Sequence, residues 1–404
     1  MRTAKLKDIT LTITDGKHGD CKNHDGSGYY FISCKDVYDE TIHYENARQI
    51  AEDDFRDADR RTNLAAYDIL ITNSGTIGRM ALVKDIPETR KTTFQKSVAI
   101  VRADTSQVVP NYLYYLLKSK VHDFINSSNG SAQKNLLLST MRDFDISFVD
   151  SFETQHRIAT ILSRYDSLIE NYQKQIKLLE EAAQRLYKEW FVDLRFPGYE
   201  NTPVVNGVPE GWYISSITDT TLFSFVKSRV SKFDGEKIYY ATADVDNTYI
   251  CGNGITVNYD NKPSRAQIIP PPYSIWFARM SKSYKILGFS EKNEDRRKKT
   301  IISSGFAGFQ SKVDTYGFMY CMISSQWFNN EKDRFATGST QVSLTNEGLS
   351  RIACLFPKED IAIKFSRVTN NIIERMVLLK ETCFILTEAR DRLLPKLMSG
   401  EIEV

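Results

Sequence analysis

Residues 158–190 read IATILSRYDSLIENYQKQIKLLEEAAQRLYKEW, and their apolar positions are spaced alternately by four and three residues. The side chains of this first seam are Ile158, Leu162, Tyr165, Ile169, Tyr172, Ile176, Leu179, Ala183, Leu186 and Trp190. Such heptad spacing keeps a continuous apolar stripe against a partner helix. At about 1.5 Å per residue the segment would span roughly 48 Å. The stretch therefore predicts a long coiled-coil helix, which Pro197 and Gly198 would end.

A second seam of the same kind lies near the C-terminus and ends just before Pro395. Its members are Phe365, Val368, Ile372, Met376, Leu379, Cys383, Leu386 and Leu393. Two heptad helices in one chain satisfy each other most simply as an intramolecular pair. The two seams therefore predict that the helices pack against each other.

The segments before the two helices resemble one another at an offset of 204 to 208 residues. Gly-Ser-Ala-Gln at 130–133 recurs as Gly-Ser-Thr-Gln at 338–341, and Tyr-Asp-Ile-Leu at 67–70 corresponds to Tyr-Ser-Ile-Trp at 273–276. Several matches in the same order indicate a duplication. A two-fold relation between the halves would make the two helices antiparallel.

The predicted fold class is α+β, with two similar domains separated by two long helices that form an antiparallel intramolecular coiled coil. Short apolar runs such as residues 69–72 and 97–101 indicate strands between Gly-rich turns, without regular βαβ alternation. The expected segments are a first domain at 1–152, a first spacer helix at 153–200, a second domain at 201–357, and a second spacer helix with a tail at 358–404.

The composition restricts the classes of function. Fifty-three basic and 51 acidic residues leave a net charge of +2, which excludes a chain that coats nucleic acid by bulk charge but allows local basic patches. The six cysteines form no Cys-x-x-Cys pair, so a disulfide framework or a zinc ribbon is not expected. No apolar run approaches the ~20 residues that span a bilayer, and the start of the chain lacks a signal-peptide pattern. We expect a cytoplasmic protein without a membrane partner.

No complete catalytic constellation is found in the sequence. His18, Cys21 and His24 have suggestive metal spacing, but no clear fourth ligand accompanies them, so neither a metal nor a cofactor is expected. The run Pro-Pro-Pro-Tyr at 270–273 lacks the Asn of an amino-methyltransferase motif. Residues 74–79 lack the full phosphate-binding glycine pattern.

Polar loops in both halves are suited to phosphate and base-edge contacts. The candidate DNA-binding residues are Lys17, His18, Ser74, Thr76, Arg79, Gln95, Lys96, Ser131, Gln133, Lys134, Arg279, Ser281, Lys282, Ser304, Ser339 and Gln341. Aromatic residues are enriched at interface cores, so Tyr187, Phe191 and Phe384 on the helices are candidate partner anchors.

At these residues the sequence resembles the DNA-specificity subunits of type I restriction-modification systems, over essentially the whole chain. The motifs that carry the resemblance are Thr14–Gly19, Asp68–Thr72 with Ser74–Gly78, Gly-Ser-x-Gln in both halves, Trp190–Asp193 running into Val208–Trp212, and Leu393–Ile402. The motif at 14–19 has no clear counterpart near residues 218–227, so the first contact loop of the second half is not identified.

The resemblance implies a non-catalytic subunit with two target-recognition domains, each reading one half of a bipartite sequence in double-stranded DNA. It also implies spacer helices that dock methyltransferase subunits, with two copies expected, and restriction subunits through them. Methyl transfer, S-adenosylmethionine binding and ATP-driven cleavage would belong to those partner chains. Two alternatives remain open at this stage. They are a catalytically active fused DNA methyltransferase and a coiled-coil scaffold protein without DNA binding.

Overall fold

The computed structural model describes residues 1–127, 135–227, 230–252, 254–339 and 341–404. The chain forms two compact units. Unit 1 comprises Met1–Ser167 and Thr387–Val404, and unit 2 comprises Leu168–Leu386. Each unit therefore contains a globular part and segments of both long helices.

Unit 1 combines eleven described strands with four described short helices and the start of the first long helix. The strands are β1 (Arg2–Lys5), β2 (Thr10–Asp15), β3 (Tyr30–Ile32), β4 (Val37–Tyr38), β5 (Thr41–Ile42), β6 (Arg48–Gln49), β7 (Ile69–Thr72), β8 (Met80–Leu82), β9 (Thr92–Phe94), β10 (Val98–Ala103) and β11 (Asp145–Phe148). The helices are α1 (Glu52–Thr62), α2 (Pro110–Ser119), α3 (Val121–Asn126), α4 (Leu138–Arg142) and α5 (Phe152–Tyr187).

The central sheet of unit 1 has the order β2-β10-β7-β8, and all its pairs are antiparallel. Strand β7 is buried along its whole length because successive side chains enter two different cores. Ile69 and Ile71 point into the core that contains α2, whereas Leu70 points into a second core with Val98 and Ile100. A second sheet, β6-β3-β9, contains one parallel pair, β3 with β9.

The α2-side core of unit 1 is completed by both long helices. Ile158 and Leu162 come from α5, and Leu394 and Leu397 come from the C-terminal part of the chain. These four side chains are nearly inaccessible to solvent. The last residues of the chain are therefore part of the hydrophobic core of the first globular segment.

Unit 2 repeats this architecture with different residues. Its strands are β12 (Val204–Val205), β13 (Val208–Pro209), β14 (Tyr213–Ser216), β15 (Phe223–Phe225), β16 (Lys237–Tyr240), β17 (Val245–Asp246), β18 (Tyr249–Ile250), β19 (Ile255–Val257), β20 (Ala266–Ile268), β21 (Ser274–Ala278), β22 (Ile286–Phe289), β23 (Thr300–Ser303), β24 (Phe306–Ser311) and β25 (Ala353–Phe356). Its helices are α6 (Glu294–Lys299), α7 (Val313–Ile323), α8 (Gln326–Arg334), α9 (Asn346–Ser350) and α10 (Glu359–Ser399).

The strand orders of the two units correspond. The sheet β15-β24-β21-β22 matches β2-β10-β7-β8, and the parallel pair of β16 with β23 matches that of β3 with β9. Tyr67 and Tyr273 precede the equivalent strands β7 and β21, and both have a positive φ, 69° and 52°, which is rare for a bulky residue. The predicted α+β class and the similarity of the two halves are confirmed.

The helices α5 and α10 run antiparallel within each unit. In unit 2, the Cys383 thiol lies 3.9 Å from the Ile169 carbonyl oxygen, and Lys380 pairs with Glu180 at 2.7 Å. Residue numbers therefore rise along one helix as they fall along the other. In unit 1, Arg390 of α10 pairs with Asp166 of α5 in the same sense. The predicted antiparallel pairing is confirmed.

The two seam predictions differ in accuracy. Every residue of the first seam is buried or half-buried. In the second seam Val368 is exposed, and Thr369 and Ile373 are buried instead, so the assignment of Val368 was wrong. Pro395 lies inside α10, which continues to Ser399. Among the described residues, no helix has the length and apolar content that crossing a membrane requires.

A charged cluster joins a hairpin to both long helices in unit 1. The turn between β4 and β5 consists of Asp39 and Glu40, with φ of 47° and 61°, as a two-residue hairpin turn requires. Arg390, buried in α10, donates to Glu40 at 2.8 Å and also to Asp166 of α5, while Lys118 of α2 donates to Glu40. Burial alone would raise the pKa of Glu40, but the charges of Lys118 and Arg390 outweigh it and hold that pKa below its ordinary value.

We predict that Glu40→Gln destabilises the chain in a pH-dependent manner. A carboxyl whose pKa is lowered on folding stabilises the fold above its unfolded pKa, and this contribution is lost as the pH falls. Because Glu40 is partly exposed, we expect a loss of about 1–2 kcal/mol near pH 7. The deficit should shrink at about pH 4 and below, as the wild-type carboxyl becomes protonated.

Chemical denaturation of both proteins at the two pH values measures this difference. Glu45→Gln is the matched control, because Glu45 lies in the same part of the chain and is well exposed. A deficit that is equal at both pH values would contradict the electrostatic explanation.

Candidate nucleic-acid interface

The strand register of unit 1 gathers three of the predicted loops at one end of the central sheet. Because β2 and β7 both run antiparallel to β10, the loops after β2 and β7 and the loop before β10 meet there. The Lys17 amide donates to the Phe94 carbonyl at 2.8 Å, and the Lys96 amide donates to the Lys17 carbonyl at 3.1 Å. The Asn73 amide donates to the Ser97 carbonyl at 3.0 Å. This end of the sheet carries Lys17, His18, Ser74, Thr76, Arg79, Gln95 and Lys96.

Gly16 is required by the close approach of these loops. A Cβ atom at this position would lie 1.9 Å from the Phe94 carbonyl oxygen. This oxygen belongs to the backbone and cannot move aside as a flexible side chain could. The glycine in the Asp-Gly-Lys sequence at 15–17 is therefore required sterically, because only glycine allows the first loop to pair with the residues before β10.

Asp15 holds two polar side chains, His18 and Arg61, at this end of unit 1. Its mostly buried carboxylate accepts hydrogen bonds from His18 Nε2 at 2.8 Å and from the Arg61 guanidinium at 2.7 Å. About half of each of these two side chains remains exposed. Arg61, the second-last residue of α1, was missed by sequence reasoning because only the fold brings it to Asp15. Lys17 is less available, since its ammonium group is paired with Asp57 at 3.0 Å, and this hydrogen bond raises the pKa of Lys17.

The equivalent end of the unit 2 sheet gathers the second set of predicted residues. The Arg279 amide donates to the Gly305 carbonyl at 2.9 Å, and the Ser281 amide donates to the Val342 carbonyl at 2.9 Å. Pairing of Thr337 with Ser343 closes the segment that contains Ser339 and Gln341. This end carries Arg279, Ser281, Lys282, Ser304, Ser339 and Gln341.

The register also locates the loop that had no clear sequence counterpart in the second half. Strand β15 pairs with β24 as β2 pairs with β10, so Val226 and Lys227 occupy the places of Thr14 and Asp15, at the start of the 14–19 motif. Of this segment, Val226 and Lys227 are described, and Lys227 is exposed. The topology, rather than any motif, identifies Lys227 as a candidate contact.

Arg279 is engaged inside unit 2. Its guanidinium donates to the Leu344 carbonyl at 3.0 Å and to Asn346 Oδ1 at 2.8 Å, and it lies 3.4 Å from the Phe306 carbonyl oxygen. Burial lowers the pKa of Arg279. These contacts tie together the β21–β22 loop, the start of β24 and the residues before α9. The hydrogen bonds hold the Arg279 side chain against these loops, and a contact between Arg279 and DNA stays a prediction.

Comparisons with known proteins agree with this geometry. The family model described as the type I restriction modification DNA specificity domain matches residues 3–181. The type I restriction enzyme MjaIX specificity subunit of Methanocaldococcus jannaschii is 28% identical over 349 residues, which cover 83% of this chain and 78% of that protein. The predicted resemblance to the DNA-specificity subunits of type I restriction-modification systems is confirmed.

Two further similarities extend over nearly the whole chain. The putative type I restriction enzyme MjaX specificity subunit of the same organism is 23% identical over 420 residues, covering 99% of this chain and 93% of that protein. The crystal structure of a type I restriction-modification S subunit from M. genitalium aligns with a TM-score of 0.58 at 15% identity, covering 98% of this chain and 96% of that one. At this identity the structural similarity indicates a shared fold.

The predicted partner anchors on the long helices require a correction. Tyr187 and Phe191 are each only 9% exposed and belong to the main hydrophobic core of unit 2. Phe191 contacts Phe318 and Phe365, with ring centroids 4.9 Å away in both cases. Phe384 is partly buried, and the Arg296 guanidinium lies 4.0 Å from its ring centroid. Tyr187 and Phe191 therefore stabilise the core and are not available as surface anchors.

Ser131, Gln133 and Lys134 lie outside the described residues, so the first Gly-Ser-x-Gln copy has no structural description. In the part of the chain that the structure describes, no group of three His, Cys, Asp or Glu side chains is arranged to hold a metal ion.

We predict that Arg279→Met destabilises unit 2. The substitution keeps the apolar stem but removes charged hydrogen bonds to the Leu344 carbonyl and the Asn346 side chain, so the expected loss is about 1.5–3 kcal/mol. Lys282→Met in the same loop serves as a control, because Lys282 is exposed and its replacement should change stability by no more than about 0.5 kcal/mol. Urea denaturation of the two variants provides the measurement. If both variants lost the same stability, the hydrogen bonds of Arg279 would not be holding these loops.

Proposed function

We propose that the chain is the non-catalytic DNA-recognition subunit of a type I restriction-modification complex and that each unit reads one half of a bipartite target. One observation carries this proposal. The polar loops of both units occupy the same end of an equivalent four-stranded sheet, although their sequences differ. Two similar scaffolds with different loops suit the reading of two different half-sites.

The chemistry of the exposed residues supports DNA reading. Lys96, Arg79 and Lys282 are exposed cations that suit phosphate or guanine contacts, while Gln341 is an exposed amide of the kind that pairs with adenine. The net charge of +2 is small for a subunit that binds DNA alone. Such a small net charge fits a complex in which partner chains supply many of the phosphate contacts.

The proposed domain organisation follows the predicted segments. The recognition domains are residues 1–152 and 201–357, and the spacer segments are residues 153–200 and 358–404. The spacer segments dock methyltransferase subunits, which in turn bring restriction subunits. Because the globular parts are duplicated, we propose two methyltransferase copies. Of the three aromatic residues considered as anchors, Phe384 is the one that keeps this role in the proposal, since the other two are core residues.

Genome-wide mapping of methylated adenines, with and without the gene for this chain, tests the proposal. We expect a bipartite motif that is present only when the chain is expressed together with its partner subunits. Deleting the gene while the methyltransferase remains should remove that motif. Persistence of the same motif without this chain would refute the assignment of recognition to it.

We predict that Gln133→Ala and Gln341→Ala each weaken DNA binding. The two residues occupy corresponding places in the duplicated Gly-Ser-x-Gln sequence, and a lost direct contact costs on the order of 1–3 kcal/mol. Binding of the assembled complex to a duplex with the mapped motif should be measured at matched salt. Gln326→Ala is the control, because Gln326 is exposed at the start of α8, outside these loops and outside the spacer segments. Unchanged affinity in both variants would remove these glutamines from the site.

A further inference from the structure

The loop between β21 and β22 of unit 2 presents three side chains of different chemistry outward. Met280 and Tyr284 are 51% and 45% exposed, which is high for large apolar side chains, and Lys282 is exposed between them. The loop lies at the end of the sheet where the candidate DNA contacts gather, and Met280 pairs with Ser343 beside Gln341. Its outward surface can offer an apolar contact and a cation to a base pair and its phosphate.

A fully buried lysine donates hydrogen bonds to the backbone of this loop. Lys332 on α8 has no measurable exposure, and its Nζ donates to the Met280 carbonyl at 3.0 Å and to the Ser283 carbonyl at 2.7 Å. The Asp333 carboxylate lies 3.3 Å from the same ammonium group. An ammonium group has three protons to donate, and burial is costly unless they find acceptors. Burial lowers the pKa of Lys332, whereas Asp333 opposes that change.

Asp333 holds the other side of the same loop. Its carboxylate accepts the Lys282 amide at 2.9 Å and the Tyr284 hydroxyl at 3.3 Å. Lys282 has a φ of 58°, in the left-handed region that residues other than glycine adopt only at an energetic cost. The hydrogen bond to the Lys282 amide offsets this cost. Two adjacent residues of α8 therefore bind the backbone of this loop at Met280, Lys282 and Ser283.

The corresponding loop of unit 1 is supported by a different kind of contact. It joins β7 to β8 and passes over α3, where Gly78 packs so closely that a Cβ would lie 2.9 Å from Val121 and 3.5 Å from Ile125. Ile77 of that loop packs against the apolar core. The fold itself therefore does not require the hydrogen bonds of Lys332 and Asp333, because the equivalent β7–β8 loop of unit 1 is held by apolar packing.

We propose that Lys332 and Asp333 are positioning residues that set the half-site selectivity of unit 2. They hold Met280, Lys282 and Tyr284 in one geometry without reaching the DNA themselves. Discrimination between base pairs depends on donors, acceptors and apolar groups that are fixed relative to the groove, whereas attraction to phosphates does not. This proposal rests on the proposed function of the chain as the DNA-recognition subunit.

The test compares Lys332→Met and Asp333→Ala with the control Lys298→Met in the assembled complex. Lys298 is an exposed lysine of α6 in the same unit and pairs locally with Glu294. The methylated motif is mapped for each variant, and binding to motif duplexes with single base changes is measured in each half-site. Non-specific DNA affinity and the unfolding midpoint are recorded in parallel.

We expect both α8 variants to lose selectivity in one half-site only. Since one mismatched base pair costs about 1–3 kcal/mol, discrimination in that half-site should fall about tenfold. Selectivity in the other half-site, non-specific affinity and the whole motif of the Lys298→Met control should be unchanged. A merely structural contribution to stability would not move the selectivity of one half-site while leaving the other intact.

Two results would overturn the proposal. One is unchanged selectivity in both half-sites, and the other is a parallel loss in both half-sites together with a lowered unfolding midpoint. If Lys332→Met fails to fold, Asp333→Ala decides by the same criteria, because Asp333 is partly exposed and its removal leaves no large cavity. Absence of any bipartite motif for the wild-type chain would instead refute the proposed function.

Discussion

Burial of both faces of each central sheet is the constraint on which the rest of the structure depends. In unit 1, side chains of β7 alternate between two cores, and one of these cores is completed by α2, α5 and α10. Unit 2 divides β21 in the same way, with Ile275 and Phe277 on one side and Trp276 and Ala278 on the other. Because both faces are covered, the ends of the sheet are where loops remain accessible, and the predicted polar residues lie at one of these ends.

The helices could be predicted from the sequence because periodic burial leaves a periodic pattern. The first seam was correct at every position, from Ile158 to Trp190. The second seam was misjudged at Val368, since α10 in unit 2 also packs on α7 and the sheet. In this part of α10 the buried residues are Phe365, Thr369 and Ile373, and a strict heptad does not give this repeated spacing of four. Tyr187 and Phe191 were misassigned for a related reason, because an aromatic residue suits a core as well as an interface.

Parts of the candidate site could be predicted where a sequence motif reflects a steric or backbone requirement at the same residues. The Asp-Gly-Lys motif at 15–17 reflects the steric need for Gly16, and the paired tyrosines Tyr67 and Tyr273 mark equivalent strained positions. The supporting residues left no such signal. Lys332 stands in the charged sequence Asn-Glu-Lys-Asp-Arg, which resembles a solvated helix face, yet it is fully buried. Its burial depends on hydrogen bonds to carbonyl groups about fifty residues earlier in the chain. Neither secondary-structure propensity nor residue spacing predicts such contacts.

The contrast between the β7–β8 and β21–β22 loops shows how one scaffold can carry two recognition surfaces. Each loop takes its support from the short helix that follows α2 or α7, through Val121 in unit 1 and through Lys332 in unit 2. The shared sheet contributes the same register in both cases. A change of loop sequence then needs a matching change on that short helix, while the strands and the long helices can stay as they are. In unit 2 the loop is held by directional hydrogen bonds such as those of Lys332, whereas in unit 1 it is held by apolar packing, so the same strand scaffold carries two different supports.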